Sequence, residues 1–305
     1  MPVDPSAQQV LTLLDDLGGM RLEAMAPQEA RDAYALLGVV RDEEMADVAS
    51  VEEREIAGVP CRVVTPRGSG SGPLPVLIWL HGGGWVIGSA ELSLPTARSL
   101  AAGAECVVVS VDYRLGPEHR FPAAPDDCAA VARWVLANAA ELGGDPSCIA
   151  IGGDSAGGNL SAVVALEVPG LVVQILVYPA TDLTMSHSSI EENGEGYLLT
   201  RAAMDWFAGH YLGDADPKDP RVSPLFAGLD SLAGAPPAHV VPAEYDPLRD
   251  EGEAYAERLR EVGVKVTGTR YAGQIHGFFT MGALIPTSEQ ALAEAVAVLR
   301  DAFGG

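Results

Sequence analysis

The chain has 305 residues, 48% of them hydrophobic, which suits either one large α/β domain or one domain with a modest extra lobe and argues against extended disorder. Its formal net charge of −23 makes nucleic acid and anionic membrane surfaces poor partners. No run approaches the roughly 18 uninterrupted apolar residues of a membrane span, so none is expected.

The N-terminus, Met1-Pro-Val-Asp-Pro-Ser, lacks a basic region followed by an apolar core, so no signal peptide is expected and the cytoplasm is the default location. Residues 5–48 read as amphipathic helix. Val10, Leu11, Leu13, Leu14 and Leu17 recur at helical spacing, and residues 33–40 follow. From residue 51 short β runs take over. An early pair, residues 54–57 and 61–66, suits an antiparallel edge hairpin, and 68–72 is a glycine-rich turn. Buried-strand patterns follow at 76–80, 107–111, 149–152, 172–178, 239–243 and 264–271. Helix-length stretches at 124–142, 155–167, 249–262 and 288–303 alternate with them. Continuous apolar strands alternating with helices imply a mostly parallel sheet covered on both faces. Residues 184–222 break the alternation, first polar and glycine-bearing, then helical over 202–211. With the N-terminal helices they suit a lid over a site.

Four cysteines, Cys61, Cys106, Cys128 and Cys148, lie far apart without a CxxC pair. That argues against a zinc site, and three of them fall in or beside apolar runs that suit buried reduced thiols. Lys218 and Lys265 are the only lysines, so arginine carries nearly all positive charge.

Gly153-Asp154-Ser155-Ala156-Gly157 follows the apolar run 148–152 and precedes a helix-forming stretch. Strand, Gly-x-Ser-x-Gly, helix is the context of a nucleophile elbow. The turn needs small flanking residues, and it lifts the Ser155 hydroxyl to the head of a helix where backbone N–H groups face any developing negative charge. A serine is a weak nucleophile until a base takes its proton, and the base needs an acid to fix its tautomer. His276 follows the 264–271 strand pattern, on the sheet edge that carries ligand-handling loops. Asp246 sits at the exit of the preceding strand, with Pro247 able to start a helix; Glu244 is the competing acid. The order Ser155, Asp246, His276 is that of an α/β-hydrolase. After the strand 76–80 comes His81-Gly82-Gly83-Gly84-Trp85, whose three glycines let backbone N–H groups approach an oxyanion; the Ala156 N–H at the elbow is a further donor.

With these segments, and with Asp112-Tyr-Arg-Leu-Gly-Pro-Glu-His119, Asp246-Pro-Leu-Arg-Asp-Glu-Gly252 and His276-Gly-Phe278, the chain resembles the hormone-sensitive-lipase family of α/β-hydrolases, in the branch with Gly-Asp-Ser-Ala-Gly at the nucleophile. The resemblance runs from about residue 50 to 300. It implies an α/β-hydrolase fold with a central, mostly parallel sheet of about eight strands and a helical cap built from residues 1–48 and 184–222. It also implies a carboxylesterase with Ser155, Asp246 and His276 as triad and Gly82, Gly83 and Ala156 as oxyanion donors. Short- to medium-chain esters are then the expected substrates, and a homodimer through the last strand and helix is suggested. No metal or organic cofactor is needed. The stretch Tyr113 to Glu118 is expected to form a structural turn, with Arg114 or Glu118 in a buried polar network. Trp85, Trp206, Phe207 and Tyr211 are candidates to line the substrate pocket, with plain packing of the cap onto the body as the alternative. An amidase, a carbamate hydrolase or a lactone hydrolase would use the same triad. A ligand-binding protein on this scaffold would be expected to have lost the base that His276 supplies.

Overall fold

Residues that are apolar on both sides of a strand can be satisfied only if helices cover both faces of the sheet. The computed structural model describes residues 2–16, 21–37, 45–68 and 72–304. Its strands in chain order are β1 (Val48–Ile56), β2 (Val59–Pro66), β3 (Leu74–Leu80), β4 (Val107–Val111), β5 (Gly144–Asp154), β6 (Gln174–Val177), β7 (Ala238–Val241), β8 (Ala243–Tyr245), β9 (Val266–Gly268) and β10 (Tyr271–Ile275). Among the described residues, eight of these form one sheet in the order β1-β2-β4-β3-β5-β6-β7-β9. The expected edge hairpin is β1 and β2, closed by Ala57 and Gly58, both with positive φ (53° and 81°) as a two-residue hairpin turn requires. β2 also runs antiparallel to β4; the remaining neighbours in this sheet are parallel.

The helices are α1 (Pro5–Asp16), α2 (Pro27–Leu37), α3 (Leu94–Ala104), α4 (Ala123–Asn138), α5 (Ala156–Glu167), α6 (Ser188–Asn193), α7 (Arg201–Tyr211), α8 (Leu229–Ala233), α9 (Arg249–Glu261) and α10 (Thr287–Ala302). Within β3 the pleat sends Val76, Ile78 and Leu80 to one face, where they meet α4 and α5. Leu77 and Trp79 go to the other face and meet α1, α3 and α10. α5 has no polar face: Ala156 through Ala165 are all buried, because the helix is enclosed by the sheet, α4 and α9.

Two expectations change. The single strand foreseen at 264–271 is two strands. β9 pairs with β7 in the main sheet, while β10 pairs in parallel with β8 as a separate two-stranded sheet. Pro242, which has no N–H for a ladder, separates β7 from β8, and the Pro242 carbonyl accepts from the Tyr271 N–H at 2.9 Å. The N-terminal segment also divides. α1 packs with β10 in the body (Asp4 N–H to Gly273 O, 2.9 Å), whereas α2 packs with Val86, Ile87 and α7 residues Ala203 and Phe207. Residues 17–20, 38–44 and 69–71, which carry part of the expected N-terminal helices and glycine-rich turn, lie outside the described residues.

Candidate active site

The elbow forms because two backbones come too close for any side chain larger than hydrogen. A Cβ on Gly157 would stand 1.9 Å from the Leu80 carbonyl oxygen, and one on Gly153 would stand 2.3 Å from it. Ser155 occupies φ 55° and ψ −116°, a strained conformation for a residue with a side chain. It is held there by its N–H on the Val177 carbonyl (2.9 Å) and by the Asn159 N–H on its own carbonyl (3.0 Å). The buried Asn159 amide also donates to the carbonyls of Ala180, just before the inserted 184–222 segment, and of Val222, its last residue.

Asp246 follows β8 directly and His276 follows β10 directly, and these strands pair with Ile275 beside Tyr245. The small sheet therefore sets acid and base side by side. His276 Nδ1 lies 2.7 Å from Asp246 Oδ2, so Nδ1 carries the proton and donates it; Nε2 is left to accept from Ser155 Oγ at 3.0 Å. Asp246 is fully buried and its Oδ1 accepts from the Leu248 N–H at 2.8 Å. The Tyr178 ring lies against the imidazole, centroids 4.6 Å apart. Glu244, the competing acid, turns away: its Oε2 accepts from the Gly273 N–H at 2.6 Å, and that bond leads the influences holding its pKa below the usual value.

The loop after β3 is held peptide by peptide. The His81 carbonyl accepts from the Tyr113 hydroxyl at 2.7 Å, and the Gly82 N–H donates to Asp154 Oδ1 at 3.1 Å. That peptide is fully used. In the next one, the Gly82 carbonyl meets His81 Nδ1 at 2.7 Å, which makes Nδ1 the protonated nitrogen of a buried imidazole whose pKa burial lowers. The Gly83 carbonyl accepts from the N–H groups of Val86 (3.1 Å) and Ile87 (2.9 Å). Because C=O and N–H point oppositely across a trans peptide, these bonds turn the Gly83 and Gly84 N–H groups the other way. Among the described residues neither has a protein acceptor, and neither does the Ala156 N–H. Gly82, expected as an oxyanion donor, is thus occupied by Asp154. Gly83, Gly84 and Ala156 are the amides left open, and Gly84 is the one among them that the sequence reading did not single out. Only the orientation of each peptide separates the three glycines, and residue type carries no signal of it.

Of the four aromatic candidates, Trp85 and Tyr211 stack on each other (4.5 Å, 6°) inside the main apolar cluster, Tyr211 fully buried. Packing of the insertion onto the body explains both. Phe207 lies directly on the loop after β3, since a Cβ at Gly84 would stand 2.3 Å from its ring. Trp206 packs edge-on against Phe207 and His210. The buried polar network expected at Arg114 or Glu118 is instead two half-exposed ion pairs, Arg114 with Asp127 and Glu118 with Arg31. Cys61, Cys106 and Cys128 are buried thiols and Cys148 is half-buried, all unbridged. Among the described residues no helix is long and apolar enough to cross a membrane.

A hydroxyl, an imidazole and a carboxylate in hydrogen-bonded series, beside open amides at a helix N-terminus, can carry out nucleophilic acyl transfer. Residues 77–280 match a family model described as the alpha/beta hydrolase fold. Carboxylesterase NlhH of Mycobacterium tuberculosis is 42% identical over 272 residues, covering 85% of each chain. An arylesterase of Saccharolobus solfataricus is 35% identical over 313 residues, covering 99% of this chain and 100% of that one. Among solved structures, an ester hydrolase from the metagenome of Lake Arreo, complexed with a bipyridine phosphonate derivative, superposes with a TM-score of 0.94 at 41% identity, covering 99% of this chain and 100% of its own.

Proposed function

The chain belongs to the hormone-sensitive-lipase family of α/β-hydrolases and is a carboxylic ester hydrolase, and from that premise we propose that it works as a serine esterase through Ser155, His276 and Asp246. The observation that carries this reading is the unbroken series Ser155 Oγ, His276 Nε2 (3.0 Å), His276 Nδ1 and Asp246 Oδ2 (2.7 Å). Ser155 Oγ attacks the ester carbonyl as its proton passes to His276 Nε2. The carbonyl oxygen becomes an oxyanion and takes hydrogen bonds from Gly83, Gly84 and Ala156. Asp246 stabilises the imidazolium through its bond to Nδ1. Collapse breaks the ester C–O bond, and His276 returns the proton to the leaving alcohol. A water then attacks the acyl-enzyme, giving one proton to His276; the second collapse releases the acid and restores the Ser155 hydroxyl.

Helix α2 and the inserted segment 184–222 form the cap over this site, which the shared apolar cluster of Ala30, Val86, Ile87, Ala203 and Phe207 supports. Phe207 against Gly84 leaves little depth beside the oxyanion loop and favours short to medium acyl chains. The test is the initial rate on p-nitrophenyl esters of graded acyl length for the wild type and for Ser155→Ala. Rates that peak at short or medium chains and vanish in Ser155→Ala are expected. Turnover retained by a folded Ser155→Ala would remove the serine from the mechanism, and a maximum at long chains would overturn the chain-length assignment.

A further inference from the structure

We propose that Asp154, the residue before the nucleophile, is a positioning residue of ester hydrolysis: by binding the Gly82 amide it fixes the loop whose next two amides receive the oxyanion. The proposal rests on the serine-esterase reading above and adds a residue to it that neither the triad nor the oxyanion donors include.

Asp154 ends β5 and pairs with Val177 of β6, so its backbone is anchored in the centre of the main sheet. The parallel register of β3 and β5 places Leu80 beside Gly153, and the chain leaving β3 therefore passes directly over Asp154. Oδ1 accepts the Gly82 N–H at 3.1 Å, while a Cβ on Gly82 would stand 2.3 Å from Oδ2. The carboxylate is thus packed on the glycine as well as bonded to it. Asp154 is 8% exposed, so little solvent competes for that bond. A buried carboxylate is costly to keep and, close to an oxyanion, electrostatically adverse. Its bond to an otherwise unpaired N–H, in the loop that supplies the donors, offsets that cost with a function.

The groups that face Asp154 are His276 after β10, Tyr34 on α2, Tyr113 after β4 and Tyr178 after β6. Burial, opposed by His276 and the Gly82 N–H, raises the Asp154 pKa to about 6. Above that pH the carboxylate is charged and the Gly82 bond is charge-assisted; below it the side chain is neutral and the bond weakens.

The test compares the wild type, Asp154→Asn and Asp154→Ala for kcat, KM and inhibition by a trifluoromethyl ketone, which forms a tetrahedral oxyanion on the serine. Asn keeps shape and acceptor but not charge, and Ala removes the acceptor. Since losing one oxyanion donor typically costs about 10²–10³ in kcat, misaligning two amides in Asp154→Ala is expected to lower kcat about 100-fold. KM should stay within about threefold, and the inhibition constant should rise in step with the loss in kcat/KM, as for interactions made only in the transition state. Asp154→Asn should lie between the two. The wild-type to Asn ratio of kcat/KM should fall as pH drops from about 8 to 5, as the wild-type carboxyl becomes neutral. A folded Asp154→Ala with kcat and inhibition near wild type overturns the proposal, as does a loss confined to KM. Should Asp154→Ala fail to fold, Asp154→Asn with unchanged kcat, unchanged inhibition and a pH-independent ratio overturns it alone. These outcomes are distinct from failure of the esterase reading, in which Ser155→Ala would remain active.

Discussion

Ser155 sits where a side chain costs about 1–3 kcal/mol of backbone strain, and the surrounding glycines are what make the turn tolerable. Gly157→Ala would drive a methyl into the carbonyls of Leu80 and His81, 1.9 and 2.6 Å from the new Cβ. Neither can yield without moving β3, so esterase activity should be lost and Tm should fall by several degrees; an active enzyme of unchanged Tm would contradict the geometry. Asp246→Asn keeps the fold but disturbs the His276 tautomer, and kcat should drop on the order of 10⁴-fold with little change in Tm. Glu251 gives a pH prediction. It is fully buried, accepts from the Thr181 and Asp182 N–H groups through Oε1, and burial raises its pKa well above the usual value. The folded state therefore holds a proton that the unfolded chain releases above its ordinary carboxylate pKa. Stability should fall as pH rises from there toward the folded-state pKa. Glu251→Gln should flatten that slope, which Tm against pH between about 4 and 8 would reveal. At this scale Ser155 and Asp246 could be singled out because each follows a short apolar run, whereas His276 was placed after a strand expected at 264–271 and in fact follows β10. The amides could not be singled out, because all three glycines look alike until the bonds of each peptide are known.

At the scale of elements, β4 was readable to the residue because five consecutive buried side chains leave no alternative. The separation of β9 from β10 was not, since it depends on where Pro242 interrupts the partner strand. The α2 side is governed by side chains whose partners are distant in sequence. Arg31 on α2 donates to the Val86 carbonyl (2.8 Å) and the Gly116 carbonyl (2.8 Å) and forks onto both oxygens of Glu118. It ties the helix to the end of the glycine loop after β3 and to the stretch 116–118. Lysine has the charge but not the fork, so Arg31→Lys should lose about 1–2 kcal/mol of this anchoring. Tm should fall by a few degrees and KM should rise as α2 loosens; an unchanged Tm would show that the helix is held by its apolar contacts alone.

For the molecule as a whole, a net charge of −23 means carboxylates outnumber their partners even though single arginines serve two. Arg221 bridges Glu167 and Asp126, and Arg62 bridges Glu53 and Glu91. The excess repels itself, and salt screens that repulsion over about 10 Å at 0.1 M. Tm should therefore rise between low salt and about 0.5 M NaCl; a fall would mean that the ion pairs outweigh the excess charge.

The detached pair β8–β10 has a consequence at this same scale. Ser155 stands at the end of the eight-stranded sheet, whereas Asp246 and His276 both ride on the two-stranded one. The 3.0 Å contact between Ser155 and His276 is thus a joint between two hydrogen-bond ladders linked through Pro242, and its alignment rests on the packing between them rather than on a shared ladder. Mild denaturant should open that joint first, silencing the enzyme while its circular dichroism is still native, and its removal should restore activity at once because nothing has to refold.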